Sequence, residues 1–307
     1  MTPLNEPFVG FGSSNMTHLK LGGLRHLERF LGLRPDNASS KDRPSKDAVF
    51  ISLDLEVASD RRRLHLSTDK PLITQLGFAR LDIRDFDSNL ESLISVSMYQ
   101  IKVQSKSKKA ARKHKQPCIF THVQHILPEH VPTILMQHLR IQKNPAHNGD
   151  PHSSDQLQAI ILVGHSIRED LKILRLLGID ISTIAPIVAV LDTHTLSRFV
   201  LPPHHPNVPI LPGQNFSLKG VLAQLSCQPP ITAFHNAGND AMFSLLAALL
   251  LAIRNSAARK AELSASELVN LHTIKHAVLW IQRYYALTGT GAVAGEINRS
   301  LNTTELS

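Results

Sequence analysis

Asp54 and Glu56 stand one residue apart near the end of an apolar run, Ala48 to Val57. In a β-strand residues i and i+2 project to the same face, so two carboxylates would leave one edge of a sheet together. Paired carboxylate oxygens of this kind hold a divalent cation. Alone the pair is weak evidence, because the acidic content of the chain makes roughly 0.5 Asp-x-Glu triplets expected by chance. A solvated strand end is the better explanation of the pair until other residues are considered.

Two later clusters change that balance. Ile161-Leu162-Val163-Gly164-His165-Ser166-Ile167-Arg168-Glu169-Asp170 reads as a buried strand, a Gly-His turn and an Asp inside the first turn of a helix. Phe234-His235-Asn236-Ala237-Gly238-Asn239-Asp240-Ala241 places a loop His five residues before an Asp at a helix start. Either His-x-x-x-x-Asp spacing is cheap by itself; both of them, in this order and after a carboxylate-bearing strand, are not. Asp54, Glu56, Asp170 and Asp240 form an all-carboxylate set. It suits hard, oxygen-ligated Mg²⁺ or Mn²⁺, whereas a Cys/His set would favour zinc.

The elements that must carry these residues follow from the hydrophobic pattern. Val49 to Val57, Ile73 to Ile83 and Ile94 to Val103 read as three strands whose short connections give an antiparallel meander. A helical stretch is expected from Glu129 to Gln142, then a His/Asn/Ser-rich loop from Asn144 to Gln156. Beyond it the pattern becomes strand, helix, strand, helix: Ile160 to Gly164, Arg168 to Leu177 stopped by Gly178, Val188 to Leu191, and Thr193 to Phe199. Pro202 to Pro212 is a proline-rich loop. Ser217 to Ser226 and Gly238 to Arg254 read as helices, the second apolar on nearly every side and therefore buried.

At the ends, His18 to Leu33 is a helical candidate followed by a polar linker, Arg34 to Asp47. From Ala257 to about Leu287, Leu263, Leu268, Leu271, Ile274, Val278 and Ile281 recur near a 3.6-residue period, a face that packs on the domain or holds a protein partner. The expected organisation is an N-terminal helix and linker over 1–46, a main domain bearing the carboxylates over 47–255 with a basic insertion at 102–117, and a helical extension with a tail over 256–307.

The chain has 307 residues, 42% of them hydrophobic, enough for a sizeable core in a soluble protein. Its longest apolar stretch, Ala241 to Ile253, is shorter than the roughly 20 residues that cross a bilayer, so no membrane partner is expected. Met1 to Glu6 carries no basic and then apolar leader pattern, and Cys118 and Cys227 have no ligand or disulfide spacing. Both points favour an intracellular site, nucleus or cytoplasm. The net charge of +8 is concentrated in Lys102 to Lys115, which holds seven Lys or Arg and no acid. Three readings stand for that run: a solvated loop, a nuclear-localisation patch, or an arm in which Lys106, Lys108, Lys109, Arg112, Lys113 and Lys115 attract phosphates.

Taken together, these residues resemble the DEDDh, or DnaQ-like, 3′-to-5′ exonucleases of the RNase H-like fold. The first motif of that family matches Asp54 and Glu56, the second Gly164, His165 and Asp170, and the third His235 and Asp240. Gly77 in the second strand, Leu191-Asp192-Thr193 and Ser217-Leu218-Lys219 match supporting landmarks, so the likeness covers about residues 48–253. The run His235 to Ala241 looks most like the fungal branch with Gfd-type and QIP-like proteins. Val57-Ala58 departs from the family where many members have Thr or Ser.

The resemblance implies an α/β fold with a mixed five-stranded sheet, the first three strands antiparallel, flanked by helices and extended by helices at both ends. It implies an enzyme that hydrolyses phosphodiester bonds at the 3′ end of single-stranded nucleic acid, with RNA slightly ahead of DNA. Asp54 would bridge two ions, Glu56 and Asp240 would complete the nucleophile side, Asp170 would hold the leaving-group ion, and His235 would be the general base. The competing reading is a catalytically silent module on the same fold that binds nucleic acid or a protein.

Other residues have plainer explanations. Asp192 reads as the cap of the helix from Thr193. His272 and His276 are spaced i, i+4 but lack the Glu of a His-Glu-x-x-His site, so they read as a surface pair. His165 is either a nucleic-acid-binding residue that orients the second motif beside substrate or a satisfied structural His, with the two readings evenly balanced.

Overall fold

The computed structural model describes residues 23–34, 48–58, 71–82, 94–102, 116–143, 157–201 and 216–288. Lys106, Lys108, Lys109, Arg112, Lys113 and Lys115 lie outside the described residues, as do the segments 144–156 and 202–215, where loops are expected, and both chain ends.

Six strands form one sheet: β1 (Val49–Val57), β2 (Ile73–Asp82), β3 (Ile94–Ile101), β4 (Val123–Ile126), β5 (Ile160–Gly164) and β6 (Ile187–Asp192), in the order β4-β3-β2-β1-β5-β6. β1, β2 and β3 pair antiparallel, while β5 and β6 run parallel to β1. This is the mixed RNase H-like α/β sheet with one more strand than the sequence suggests. β4 pairs parallel with β3 at the sheet edge, and its Val-Gln-His-Ile sequence is nearly all exposed, so it has no alternating apolar pattern to read.

β1 is covered on both faces. Val49, Ile51, Leu53 and Leu55 join one core with α2 (Val131–Leu139) and α3 (Ile167–Leu176). The alternate residues, Phe50 and beyond it Ser52, Asp54 and Glu56, face the other core. That second core holds the helix at residues 23–30 (α1), α4 (Thr193–Val200), α5 (Leu218–Gln224), α6 (Ala237–Ala257) and α7 (Ala265–Thr288).

The central member of this layer is α6, whose residues from Ala237 to Leu249 are all buried. Each Leu fully withdrawn from water there contributes about 1.5–3 kcal/mol, which fixes the helix firmly against the sheet. Among the described residues it is the one helix long and apolar enough to cross a membrane, yet most of it is buried inside the fold.

Helix boundaries differ from the sequence expectation where capping intervenes. The stretch expected at 129–142 is helical only over Val131–Leu139 after a 3₁₀ turn, and Gln142 instead bridges Leu157. The C-terminal helix does not start at Ala257: α6 runs to that residue, and α7 begins at Ala265 behind a capping box. In that box the Ser264 amide and hydroxyl both donate to Glu267 Oε2, at 2.7 and 2.8 Å. α7 buries Leu271, Ile274, Val278 and Ile281 as expected, but Leu268 falls on its exposed side.

The N-terminal helix is not a loose appendage. Leu27, Phe30, Leu31 and Leu33 are buried in the same core as α6, and the Phe30 ring meets Phe50 of β1 edge-on at 6.5 Å. At this junction Glu28, wholly buried, accepts from Asn255 (2.6 Å), Ser256 (3.1 Å), Arg259 (3.0 Å) and Arg34.

Candidate active site

Three elements, β1, α3 and α6, deliver the acidic residues to one place. β1 supplies Asp54 and Glu56 on a single face, and register pairs them with Gly77 and Gln75 of β2. These two β2 residues seat the start of α6. A Cβ at Gly77 would lie 2.0 Å from the Ala237 carbonyl oxygen, so only glycine lets the helix end reach the sheet there. Gln75 Oε1 accepts from the Ala237 amide at 3.0 Å and pins it. Asp240 and His235 are thereby brought to the carboxylates of β1. Ligand atoms of Glu56, His235 and Asp240 all lie within 4.8 Å of one another.

Asp170 arrives from the first turn of α3. Its Oδ1 accepts from the Leu55 amide at 3.1 Å, the peptide between Asp54 and Glu56. Gly164 permits the tight turn that aims α3 at the sheet, since a Cβ there would come within 2.6 Å of Ile167 Cδ1.

The electrostatics of the cluster are strained. The Asp54 carboxyl is pushed well above its usual range by burial and then by the charges of Asp240, Asp170 and Glu56. Asp170 is raised to about 8, first by burial, with the Leu55 amide offsetting part of the rise. Asp240 is also raised to about 8 by burial and then by Glu56, against the lowering effect of the His235 and Asn236 amides. One oxygen of Asp240, Oδ1, is buried without a hydrogen-bond partner. Crowded carboxylates, an orphan acceptor and a close Glu-His-Asp triplet fit a divalent cation bound through oxygen.

His235 has an exposed side chain on a backbone at φ 64°, and its amide donates to Asp240 Oδ2 at 2.9 Å. His165 occupies the turn after β5. Its Nδ1 is 3.0 Å from Thr193 Oγ1, and its ring meets His194 edge-on at 5.6 Å. Burial pushes its pKa down to about 4, so it meets any neighbour as a neutral imidazole near pH 7. Asp192 caps α4 through the His194 amide at 3.0 Å and also takes the Ser166 amide at 2.8 Å, which ties the second motif to the end of β6.

His272 and His276 are an exposed pair with Nε2 atoms 3.2 Å apart; no third potential metal ligand joins them among the described residues. Sequence reasoning did not single out Gln75, Asn236 or Asn239, all buried around the motif loop. A Gln inside the apolar run of β2 was the available signal for the first, and two Asn in one short motif the signal for the others.

A family model described as DNA polymerase III subunit epsilon-like, C-terminal domain (DEDDh) matches residues 49–251. No curated protein matches the chain.

Proposed function

This chain belongs to the DEDDh, DNA polymerase III subunit epsilon-like family, and from that premise we propose that it is a metal-dependent 3′-to-5′ exonuclease of single-stranded nucleic acid. The observation that carries the proposal is the meeting of Asp54, Glu56, Asp170 and Asp240 beside His235, from β1, α3 and the start of α6. Asp54 would be shared by two Mg²⁺ or Mn²⁺ ions, Glu56 and Asp240 would serve one and Asp170 the other. Such ions supply charge neutralisation at the scissile phosphate and make water easier to deprotonate.

The remaining work falls to the protein. His235 takes the proton of the attacking water, a task suited to an imidazole near neutral pH and to a side chain open to solvent. The Leu55 amide holds Asp170 in place, while Gly77 and Gln75 set the approach of Asp240. Lys106, Lys108, Lys109, Arg112, Lys113 and Lys115 grip backbone phosphates without reading bases, so affinity weakens as salt rises. RNA stands slightly ahead of DNA as substrate. The exposed side of α7, with Leu268, Val269 and Leu279, is the surface offered to a protein partner. The protein acts in the nucleus or cytoplasm, and the run His235 to Ala241 supports the narrower likeness to the fungal Gfd-type and QIP-like branch.

The deciding experiment incubates pure protein with 5′-labelled single-stranded RNA or DNA in Mg²⁺, Mn²⁺ or EDTA. A ladder shortening from the 3′ end and abolished by EDTA is expected. Retained binding with no chelator-sensitive ladder would replace the enzyme with a silent binding module.

A further inference from the structure

We propose that Asn236 and Asn239 form a two-amide clasp that positions His235; as a role in catalysis it rests on the exonuclease reading above. The problem the clasp solves is local. His235 holds a positive φ of 64°, a conformation that non-glycine residues keep only when their surroundings impose it. Its ring is exposed, so the backbone beneath must fix where the imidazole points.

The surroundings are two buried amides. Asn236, at 1% exposure, caps α6 by accepting from the Asn239 amide at 3.2 Å and donates from Nδ2 to the Gln116 carbonyl at 2.9 Å. Asn239, at 0% exposure, donates to the Ala233 carbonyl at 2.8 Å and the Pro117 carbonyl at 3.1 Å, and accepts from the Ile119 amide at 2.9 Å. These bonds tie the C-terminal flank of His235 to the segment Gln116–Ile119 and its N-terminal flank, through the Ala233 carbonyl, to Asn239; Gly238 sits against Cys118 too closely to admit a Cβ, which would lie 2.9 Å from Sγ. Position 239 needs two donors and one acceptor on a planar group of this size. Asp supplies no donor and Ser only one, so Asn is the residue that satisfies all three partners. Asn236 and Asn239 touch no reacting atom and are positioning residues.

The test uses the full chain with Asn239→Ala, Asn239→Asp and Asn236→Ser, the last keeping the cap but losing the bond to Gln116. Kinetics on a 5′-labelled single-stranded oligonucleotide in Mn²⁺, well below the melting temperature, should show kcat reduced roughly 100-fold for both Asn239 variants, the scale of a small misplacement of a catalytic group. KM should stay within about twofold, and Asn236→Ser should lose less. Amide hydrogen exchange at His235 and Ile119 should be slow in the parent and fast in Asn239→Ala. A kcat for Asn239→Ala within about threefold of the parent, or unchanged exchange, overturns the clasp. If the parent itself cuts nothing, the exonuclease reading falls, and exchange alone then decides whether the clasp exists.

Discussion

Two buried carboxylate sites in this molecule are built in opposite ways. Glu28 has no exposed surface, yet its carboxyl is held below its usual range: burial raises it, and donors from Arg34, Asn255 and Arg259 more than offset that rise. Asp170 and Asp240 are buried to a similar degree, but their neighbours are other acids, and both are raised to about 8. The first site carries its own cations and is complete as folded. The second lacks positive charge among its described neighbours and leaves Asp240 Oδ1 unpaired. Burial alone therefore does not distinguish the paired acid from those of the candidate site; the sign of what surrounds each does.

The sharpest way to break this contrast is to remove one acid from each site. Asp54→Ala should lower metal-dependent turnover by roughly 10³-fold or more, as expected for losing a group that stabilises transition-state charge, and a gel assay of 3′ shortening reads it. Glu28→Ala should leave the partly buried Arg34 and Arg259 beside no acid and cost about 3 kcal/mol in urea unfolding. In metal-free protein Asp240→Asn should go the other way, stabilising by about 1–2 kcal/mol at pH 8, because it removes a carboxylate the fold resists ionising.

The pH dependence sharpens the same point. Asp170 and Asp240 have folded pKa values above their unfolded ones, so their contribution is fully present below about pH 4 and is lost as pH rises toward about 8. Glu28 is lowered, so its contribution is present above its ordinary range and is lost on acidification. Melting temperatures in EDTA should therefore fall between pH 5 and 8 in the parent and less so in Asp240→Asn, while Glu28→Gln should flatten the acid side. The smallest effect is proton release: adding Mn²⁺ at pH 7 should expel protons from the raised acids, read by calorimetry in two buffers of different ionisation enthalpy.

These two sites also mark how far the sequence could be read. Asp54, Glu56, Asp170, His235 and Asp240 could be singled out only as a set, because their order and spacing fall together at strand ends and helix starts, and the fold brings Glu56, His235 and Asp240 within reach of one another. β1, β5 and α6 were legible because nearly continuous burial writes itself as mostly apolar sequence, and β2 because β-branched and apolar residues recur through it despite its buried Thr74, Gln75 and Asp82. β4 was not, since an exposed edge strand of four residues has no periodicity. Nor was the Glu28 site, whose partners other than Arg34 lie more than two hundred positions away at Asn255, Ser256 and Arg259. The break before α7 was hidden by apolar residues that continue the helical period across Leu263 while Ser264 and Glu267 close the cap.

One consequence follows from α6. Its first turn carries Asp240, and Asn255 and Ser256 in its last turn bind Glu28, so a single rod sets the orientation of both carboxylate sites. Each residue of an α-helix turns the chain by about 100° and advances it by about 1.5 Å. Inserting or deleting one residue anywhere between Ala241 and Arg254 would leave every side chain type intact and still rotate one site out of phase with the other. The length of this helix is thus a quantised dimension of the protein, intolerant of a change in count.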